Sequence, residues 1–478
     1  MSAATRIARE EWRQWRRSRL AVFALSIFAF LLLITTILTA TGVLEDRHDR
    51  LHQQEEAEAT FLDQPDRHPH RMVHYGHYVF RAPAPLAVFD PGVDTVTGQS
   101  MFLEGHRQNS AMFADARAEA RTGGFGALSP AKLYHLFLPL LLIALGHAAI
   151  LRERESRTLG PLLAQGVTGA QLFAGKALAL AGLVAVLSIP ALAASLIGIS
   201  LGEPLLSAIA LYLGQLLYLG VWATLILLVS TKVRERGLAL GVLLFVWVAT
   251  ALILPRIGVT AASASLPIDG KIATDMKMKD DLRKLGDGHN ASDPAFEQLR
   301  ANLLAEYDVE SVDELPINFR GTVASQSEAD LTDTLNEYAE ARMAQEAAQS
   351  DRLNRLGWLS PYLAVGSATR NLAGTDLRTH HRFLREAEGV RFAFVQGLNK
   401  AHIEELSYAD DINRNSGEEG WKRARVSAEN WKVVGEFQFT PDPATTRLNR
   451  AMQGLAALTL WFVILFGFGL TAARRLAP

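Results

Sequence analysis

The chain reads as a mainly α, polytopic membrane protein with six transmembrane helices, both termini cytoplasmic, and a mixed α/β extracytoplasmic region. Three observations lead there. Six apolar runs, 20–43, 133–151, 172–201, 205–230, 238–259 and 452–473, each reach about 19 residues or more, and about 20 helical residues cross a hydrocarbon core of about 30 Å. The Lys/Arg content of the connections alternates. Arg6, Arg9, Arg13, Arg16, Arg17 and Arg19 precede the first run, and Arg152, Arg154 and Arg157 follow the second. Lys232, Arg234 and Arg236 lie between the fourth and fifth, and Arg474 and Arg475 follow the last. With six crossings all four clusters fall on one side, which the positive-inside rule makes cytoplasmic. Finally, two long polar segments separate the first run from the second and the fifth from the last. They dilute the spans, so mean hydropathy is only +0.10.

The elements follow in order. Residues 1–19 place Ala8, Trp12 and Trp15 on one helical face among arginines, the pattern of an amphipathic helix lying in the headgroup region. The span 20–43 is too long for a signal-peptide core and no small-residue cleavage site follows it, so it is expected to stay as an anchor. The first extracytoplasmic region, 44–131, opens helically over 45–60 and then turns rich in Pro, Gly and aromatics, where strands and turns are expected. Phe89-Asp90-Pro91-Gly92 is a turn signal. Pro130 suits the first turn of the span 132–151. A cytoplasmic loop, 152–171, leads to three spans within 172–259. The second extracytoplasmic domain, 260–450, is long enough to bury its own core and reads as mainly helical. Asp293-Pro294 starts one helix, a longer helix covers about 325–356, and 433–440 alternates weakly like a strand. The span 451–473 and a short tail, 474–478, complete the chain.

Composition excludes several classes. A net charge of -2 gives no basic field for nucleic acid, and with 0 cysteines there is no disulfide or thiolate chemistry. Gly169…Gly175-Lys176-Ala177 mimics a phosphate loop, but its glycines are misspaced and no hydroxyl residue follows the lysine. No nucleotide-hydrolysing site is therefore expected in this chain, which does not read as an enzyme by itself. No nucleophile–base spacing, Gly-x-Ser-x-Gly elbow or His-Glu-x-x-His helix occurs. Ionisable residues are scarce within the spans: His135 and His147 lie near opposite ends of the second, and Glu203 occupies the short turn after the third. Without a chain of intramembrane carboxylates, an ion-driven carrier is disfavoured. Pro139, Pro190 and Pro255 are expected to kink their helices, and small residues along the third span (Ala177, Ala179, Ala181, Gly182, Ala185) permit close packing.

The loop after the second span carries the sharpest signal. Glu153, Arg154, Glu155, Thr158 and Leu159 lead into Leu162, Leu163 and Gln165, followed by Gln171-Leu172-Phe173 and Gly175-Lys176. Mixed charge followed by a leucine cluster makes a short amphipathic helix suited to a cytoplasmic partner surface. This resembles the coupling loop of type-two ABC exporter permeases. Arg157 stands where that family usually has Gly, and Gly160-Pro161 interrupts the helical run. His74-Tyr75-Gly76, Phe89-Asp90-Pro91-Gly92 and Glu104-Gly105-His106, with Leu315-Pro316-x-Asn318-Phe319, Gly357-Trp358-Leu359-Ser360-Pro361 and Leu372-Ala373-Gly374-Thr375-Asp376, resemble the subfamily with two large extracytoplasmic insertions. The resemblance implies a permease subunit in the inner membrane with its large segments in the periplasm. It implies a cytoplasmic ABC ATPase partner that binds ATP and Mg²⁺, and a second permease copy or paralogue. The size of the outer segments suggests a further, periplasmic partner, and the alternative reading is a non-transporting scaffold or mechanotransmission/sensor subunit with periplasmic ligand-binding domains. Glu153, Arg154, Glu155, Thr158, Leu159, Leu162, Leu163 and Gln165 are the coupling residues so implied, the charges setting register and the leucines filling a groove.

Histidines crowd the first extracytoplasmic region. His68, His70, His74 and His77 are weak metal candidates, and His48, His52 and His106 lie nearby. Neutral imidazole suits Zn²⁺ or Cu²⁺, but no acidic or Cys partner completes a recognisable ligand spacing, so polar packing is the expectation. His380-His381 with Asp376 forms a second polar cluster, read as structural.

Overall fold

The structure, a computed structural model, describes residues 2–112 and 128–476. Residues 113–127 of the first polar segment and 477–478 at the C-terminal end lie outside the described residues. Ser2 caps α1 (Ala3–Arg17) by accepting from the Thr5 amide, and Ser18 caps α2 (Arg19–Leu62) by accepting from Ala21. The first apolar run and the polar stretch after it form one helix of 44 residues, about 66 Å at 1.5 Å per residue. Next come α3 (Pro69–Tyr75) and the antiparallel pair β1 (His77–Phe80) and β2 (Ser100–Leu103), with Tyr78 opposite Phe102. Then follow α4 (Pro130–Glu155), α5 (Leu159–Ala164), α6 (Gly169–Leu187), α7 (Ile189–Ser200), α8 (Leu205–Lys232) and α9 (Arg236–Ser265). The second polar segment holds α10 (Lys271–Leu282), α11 (Glu297–Tyr307), α12 (Phe319–Arg355), α13 (Pro361–Ala373) and α14 (Leu377–Glu404), and α15 (Ala444–Arg474) follows.

Six helices, α2, α4, α6, α8, α9 and α15, are long and apolar enough to cross a membrane. Their outer faces carry Phe23, Phe30, Phe245, Val463 and Phe468, each more than half exposed. So broad an apolar surface is disfavoured in water and natural in hydrocarbon.

All three span prolines break regular helix, in two ways. Pro139 and Pro255 each follow a five-residue π-helical turn, Leu133–Phe137 and Ala249–Ile253. The wider turn accommodates a ring that would strike the carbonyl four residues back. At Pro190 the third apolar run splits instead, α6 ending at Leu187 and α7 starting at Ile189. There the Tyr134 hydroxyl enters the ladder, accepting from the Ala191 amide at 3.1 Å and donating to the Leu187 carbonyl at 2.6 Å. It replaces the rung those two groups would have made with each other.

The largest apolar core gathers the spans, and α13 belongs to it. Ala364, Val365, Ala368 and Leu372 are buried with the spans, and α13 packs on both α8 and α15. Gly454 of α15 admits this approach, because a Cβ there would meet the Ala364 carbonyl. Gln215, ten residues into α8, donates to the Thr369 hydroxyl at 2.9 Å, so α13 reaches about 15 Å into the bundle. A second core joins α3, β1, β2 and α14 with Trp431 and Phe437, and a small third one surrounds Phe296, Leu303 and Phe319.

The region beyond the spans is mainly helical, with little strand. The expected strand at 433–440 is absent. Ala428–Val434 is a 3₁₀ helix and an unpaired stretch follows. Its apolar residues serve packing rather than pairing: Trp431 is fully buried with its indole N–H on the Gln64 carbonyl at 2.9 Å, and Val433 fits against Gly397 of α14. The expected turn at Phe89–Gly92 is present. Gly92 has φ 56°, its amide donates to Asp90 at 3.0 Å, and Thr375 holds the Asp90 carbonyl at 2.9 Å.

Candidate functional site

The basic clusters meet at one end of the bundle. Arg154 donates to the Val233 carbonyl at 3.1 Å and Arg236 pairs with Glu155, tying the end of α4 to the connection between α8 and α9. Gly169, at the start of α6, abuts the Ala473 carbonyl at the end of α15. The N-terminal helix joins them. Ala8 and Trp15 are buried, and α1 lies along α6 with Ala4 and Ile7 at Gly175 and Trp12 at Gly182. The two glycines remove the side chains that would hold the helices apart. Gly182, among the small residues of the third span, thus has a partner in Trp12 of α1, whereas Ala181 and Ala185 are exposed.

At this corner four charges neutralise one another. Glu11 of α1, with 4% side-chain exposure, receives Lys176 of α6 at 2.5 Å and Arg152 of α4 at 2.6 Å. Lys176, 1% exposed, also reaches Glu153 at 2.7 Å. Two carboxylates and two cations balance, the condition under which a buried ion cluster is tolerated. Gly175 and Lys176 therefore act together: the glycine admits α1, and the lysine neutralises the carboxylate that α1 brings.

On this corner stands a short knuckle. The Glu153 carbonyl accepts the Thr158 amide at 3.0 Å, and its carboxylate accepts the Thr158 hydroxyl at 2.6 Å. This tight turn requires Arg157 in the left-handed region, φ 57°, which explains why glycine suits the position. Gly160 and Pro161 do not interrupt α5. They lie in its first turn, where the missing proline N–H has no intrahelical acceptor. Gly166, φ 84°, ends the knuckle, and Thr168 with Gln171 forms a reciprocal capping box that starts α6.

The coupling candidates divide by direction. Glu155, Thr158 and Gln165 are exposed, as are Pro161 and Ala164, whereas Arg154 and Leu162 are half-buried. Leu159 is buried in the bundle core, Leu163 packs against that core, and Glu153 faces the ion cluster. Glu11, and the pairing of Arg152 with it, escaped sequence reasoning. The only signal for Glu11 was its place as an acidic residue on the face of α1 that carries the tryptophans.

Two further polar groups sit among the spans. His135 is buried and hydrogen-bonds Gln215 at 2.9 Å, continuing to Thr369, rather than reaching an interface. Glu203, buried at the opposite end, pairs with Arg447 at the start of α15, and Arg447 also donates to the Leu372 carbonyl at 2.9 Å.

Beyond the spans the weak metal candidates separate. His77 on β1 is buried and packs on Phe61, ring centres 5.7 Å apart, and burial pushes its pKa down to about 4. His68 and His402 flank Asp411 at 3.1 and 2.8 Å, with Arg414 at 2.8 Å and Arg320 at 3.6 Å on the same carboxylate. With two guanidinium groups already present, this is a structural tether between the two polar segments. His70 and His74 share a face of α3 and turn toward His106 and His289. Asp376 caps α14 and His381 bonds Glu346 at 2.9 Å, so that cluster holds the fold.

The family profile described as a domain of unknown function, DUF3526, matches residues 271–440, from α10 to just before α15. No curated protein matches the chain.

Proposed function

We propose that this chain is the permease subunit of an ATP-driven exporter of the type-two ABC class, seated in a bacterial inner membrane with its basic end in the cytoplasm. The observation that carries the reading is the knuckle at α5: an exposed helix mounted on a buried, charge-balanced corner that grips α1, α4 and α6 together. A load applied to α5 passes into three helices at once. Glu155, Thr158, Pro161, Ala164 and Gln165 face a separate ATPase subunit, and Leu162 lies at the edge of that contact. Glu153 and Leu159 carry the load inward. ATP and Mg²⁺ belong to the partner. The knuckle transmits work only if its docked contacts differ between the two states of that ATPase. A second permease chain, copy or paralogue, completes the assembly.

The test places a photo-crosslinking residue at Ala164 in living cells. Capture of a cytoplasmic ATPase is expected, as is loss of transport-linked hydrolysis in Ala164→Arg, which touches no packed residue. If a cysteine at 164 reacts with a membrane-impermeant thiol reagent in intact cells, the sidedness is reversed and the proposal fails. A second reading, in which the subunit passes mechanical work to an outer partner without conducting a solute, is supported by the way α13 ties the far region into the span core. Vesicles that hydrolyse ATP while accumulating no solute from native extract would favour it.

A further inference from the structure

The imidazoles of His70, His74, His106 and His289 close on one another. All six ring pairs are near neighbours, with centres 4.7 to 6.1 Å apart. Three of the rings come from the first polar segment and the fourth from the loop after α10 in the second. The Nε2 atoms of His70 and His74 lie 3.2 Å apart. A tetrahedral ion with metal–nitrogen bonds of 2.0–2.1 Å sets neighbouring ligand nitrogens about 3.3 Å apart. The four ligand atoms lie within 4.8 Å of one another, so side-chain rotation and a small shift of the 286–293 loop suffice to close the set.

The surroundings prepare these rings as ligands. His289 is joined through Nδ1 to Asp287 at 3.2 Å, and His106 through Nδ1 to Glu328 at 3.0 Å. Each carboxylate fixes a tautomer and turns Nε2 inward, the outer arrangement typical of metal-bound histidine. The His106 Nε2 is buried and has no hydrogen-bond partner. Glu328 is itself anchored by Arg391 from α14 and by its place on α12, so His106 is held by the core. Gly288 lets the fourth ligand in, since a Cβ there would run into the Ser327 side chain. Burial first, and then the other rings, hold the pKa of His70 at about 2 and lower that of His74. Both shifts favour the neutral form of those two rings, the form that binds metal. The Asp411 cluster differs in kind, because its carboxylate already carries guanidinium partners.

We propose that His70, His74, His106 and His289 form a four-imidazole site for one first-row divalent ion of the Zn²⁺ class, clipping the two polar segments together. Imidazole suits Zn²⁺ and Cu²⁺ alike, so both ions are tested separately on the full-length protein in detergent after chelation and dialysis. Expected is one ion per chain by calorimetry and elemental analysis. Co²⁺ loading should give the intense visible bands of a tetrahedral site. The bound ion should also protect the 286–293 loop from protease. His289→Ala alters one exposed loop residue, and His74→Ala one exposed helix residue. Each should weaken binding at least 100-fold and abolish the protection, whereas the pair His48→Ala with His52→Ala should leave both unchanged. Failure of both ions to bind, a weak octahedral Co²⁺ spectrum, or unchanged binding in His289→Ala and His74→Ala overturns the assignment.

Discussion

Replacing Lys176 with methionine tests how the corner holds α1. The wild-type cluster sums to zero: Glu11 and Glu153 against Arg152 and Lys176. Lys176→Met preserves the side-chain volume but leaves one net negative charge, with Glu11 only 4% exposed. Breaking a buried pair by removing one partner costs about 3–5 kcal/mol. Removing the second member as well, in Glu11→Gln with Lys176→Met, restores neutrality. It leaves Arg152 and Glu153, 32% and 16% exposed, within reach of solvent. The double variant should therefore cost far less than the two single ones together, with a coupling of about 2–3 kcal/mol, near the top of the usual range for direct contacts. The chain contains 0 cysteines, so Ala8→Cys supplies a single buried thiol beneath α1. Its labelling reports how often α1 lifts from α6. A 3–5 kcal/mol loss raises that rate by about two to three and a half powers of ten, and the double variant should return most of the way. Additive costs, or a Lys176→Met protein whose thiol stays as protected as before, would show that the cluster does not hold the helix.

Three other outcomes follow from single contacts. Tyr134→Phe strands the Ala191 amide and the Leu187 carbonyl and should cost about 2–6 kcal/mol in thermal unfolding, at roughly 1–3 kcal/mol per unpaired group. Adding Pro190→Ala should recover part of it by letting the rung close; no recovery refutes the inserted-hydroxyl account. Arg157→Gly should raise the melting temperature by relieving about 1 kcal/mol of left-handed backbone strain, and a lowered melting temperature contradicts this. Burial raises the Asp411 pKa, but hydrogen bonds from His402 and His68, with Arg320 nearby, outweigh it and hold the group below the usual carboxylate range. A depressed carboxylate stabilises the fold above its unfolded pKa of about 4 and loses that contribution as pH falls through the folded value. The acid limb of the unfolding curve below about pH 4 should flatten in Asp411→Asn. Equal slopes in the two proteins exclude the tether.

The spans were legible because length and apolarity are local properties, and the polar helices were legible in part: α11 from the start at Asp293, and α12 from its spacing over about 325–356, although it begins earlier, at Phe319 after the Asn318 cap. The histidine site was less so. His70 and His74 had the right interval, but His106 and His289 are joined to them only by the folded chain, 219 residues separating the first ligand from the last. No spacing rule spans such a gap. The same holds for Glu11, whose partners lie on α4 and α6. α13 was missed for another reason. Its thirteen residues are too short and too rich in Ser, Thr and Asn to resemble a span, yet small side chains are what let a helix enter between two others. Where 433–440 alternated like a strand, the alternation answered to packing on α14, which sequence periodicity does not distinguish from pairing.

These contacts also locate where the bundle yields. At the basic end, α1, α4 and α6 are bound by ions and Arg236 ties in α9. At the far end, Arg447 joins Glu203 to α15 and to the Leu372 carbonyl of α13. Between these ends lie the π turns before Pro139 and Pro255 and the broken rung at Pro190. A helix interrupted in its hydrogen-bond ladder bends there more easily than anywhere in its regular stretches. Under the coupling role proposed for α5, force applied there is expected to bend α4, α6–α7 and α9 at their prolines before it disturbs either end. Tyr134 belongs to one such joint and fills another, since it lies in the π turn of α4 while its hydroxyl bridges the break between α6 and α7. Bending at these two joints is thus coupled through one side chain, which joins α4 to the α6–α7 break.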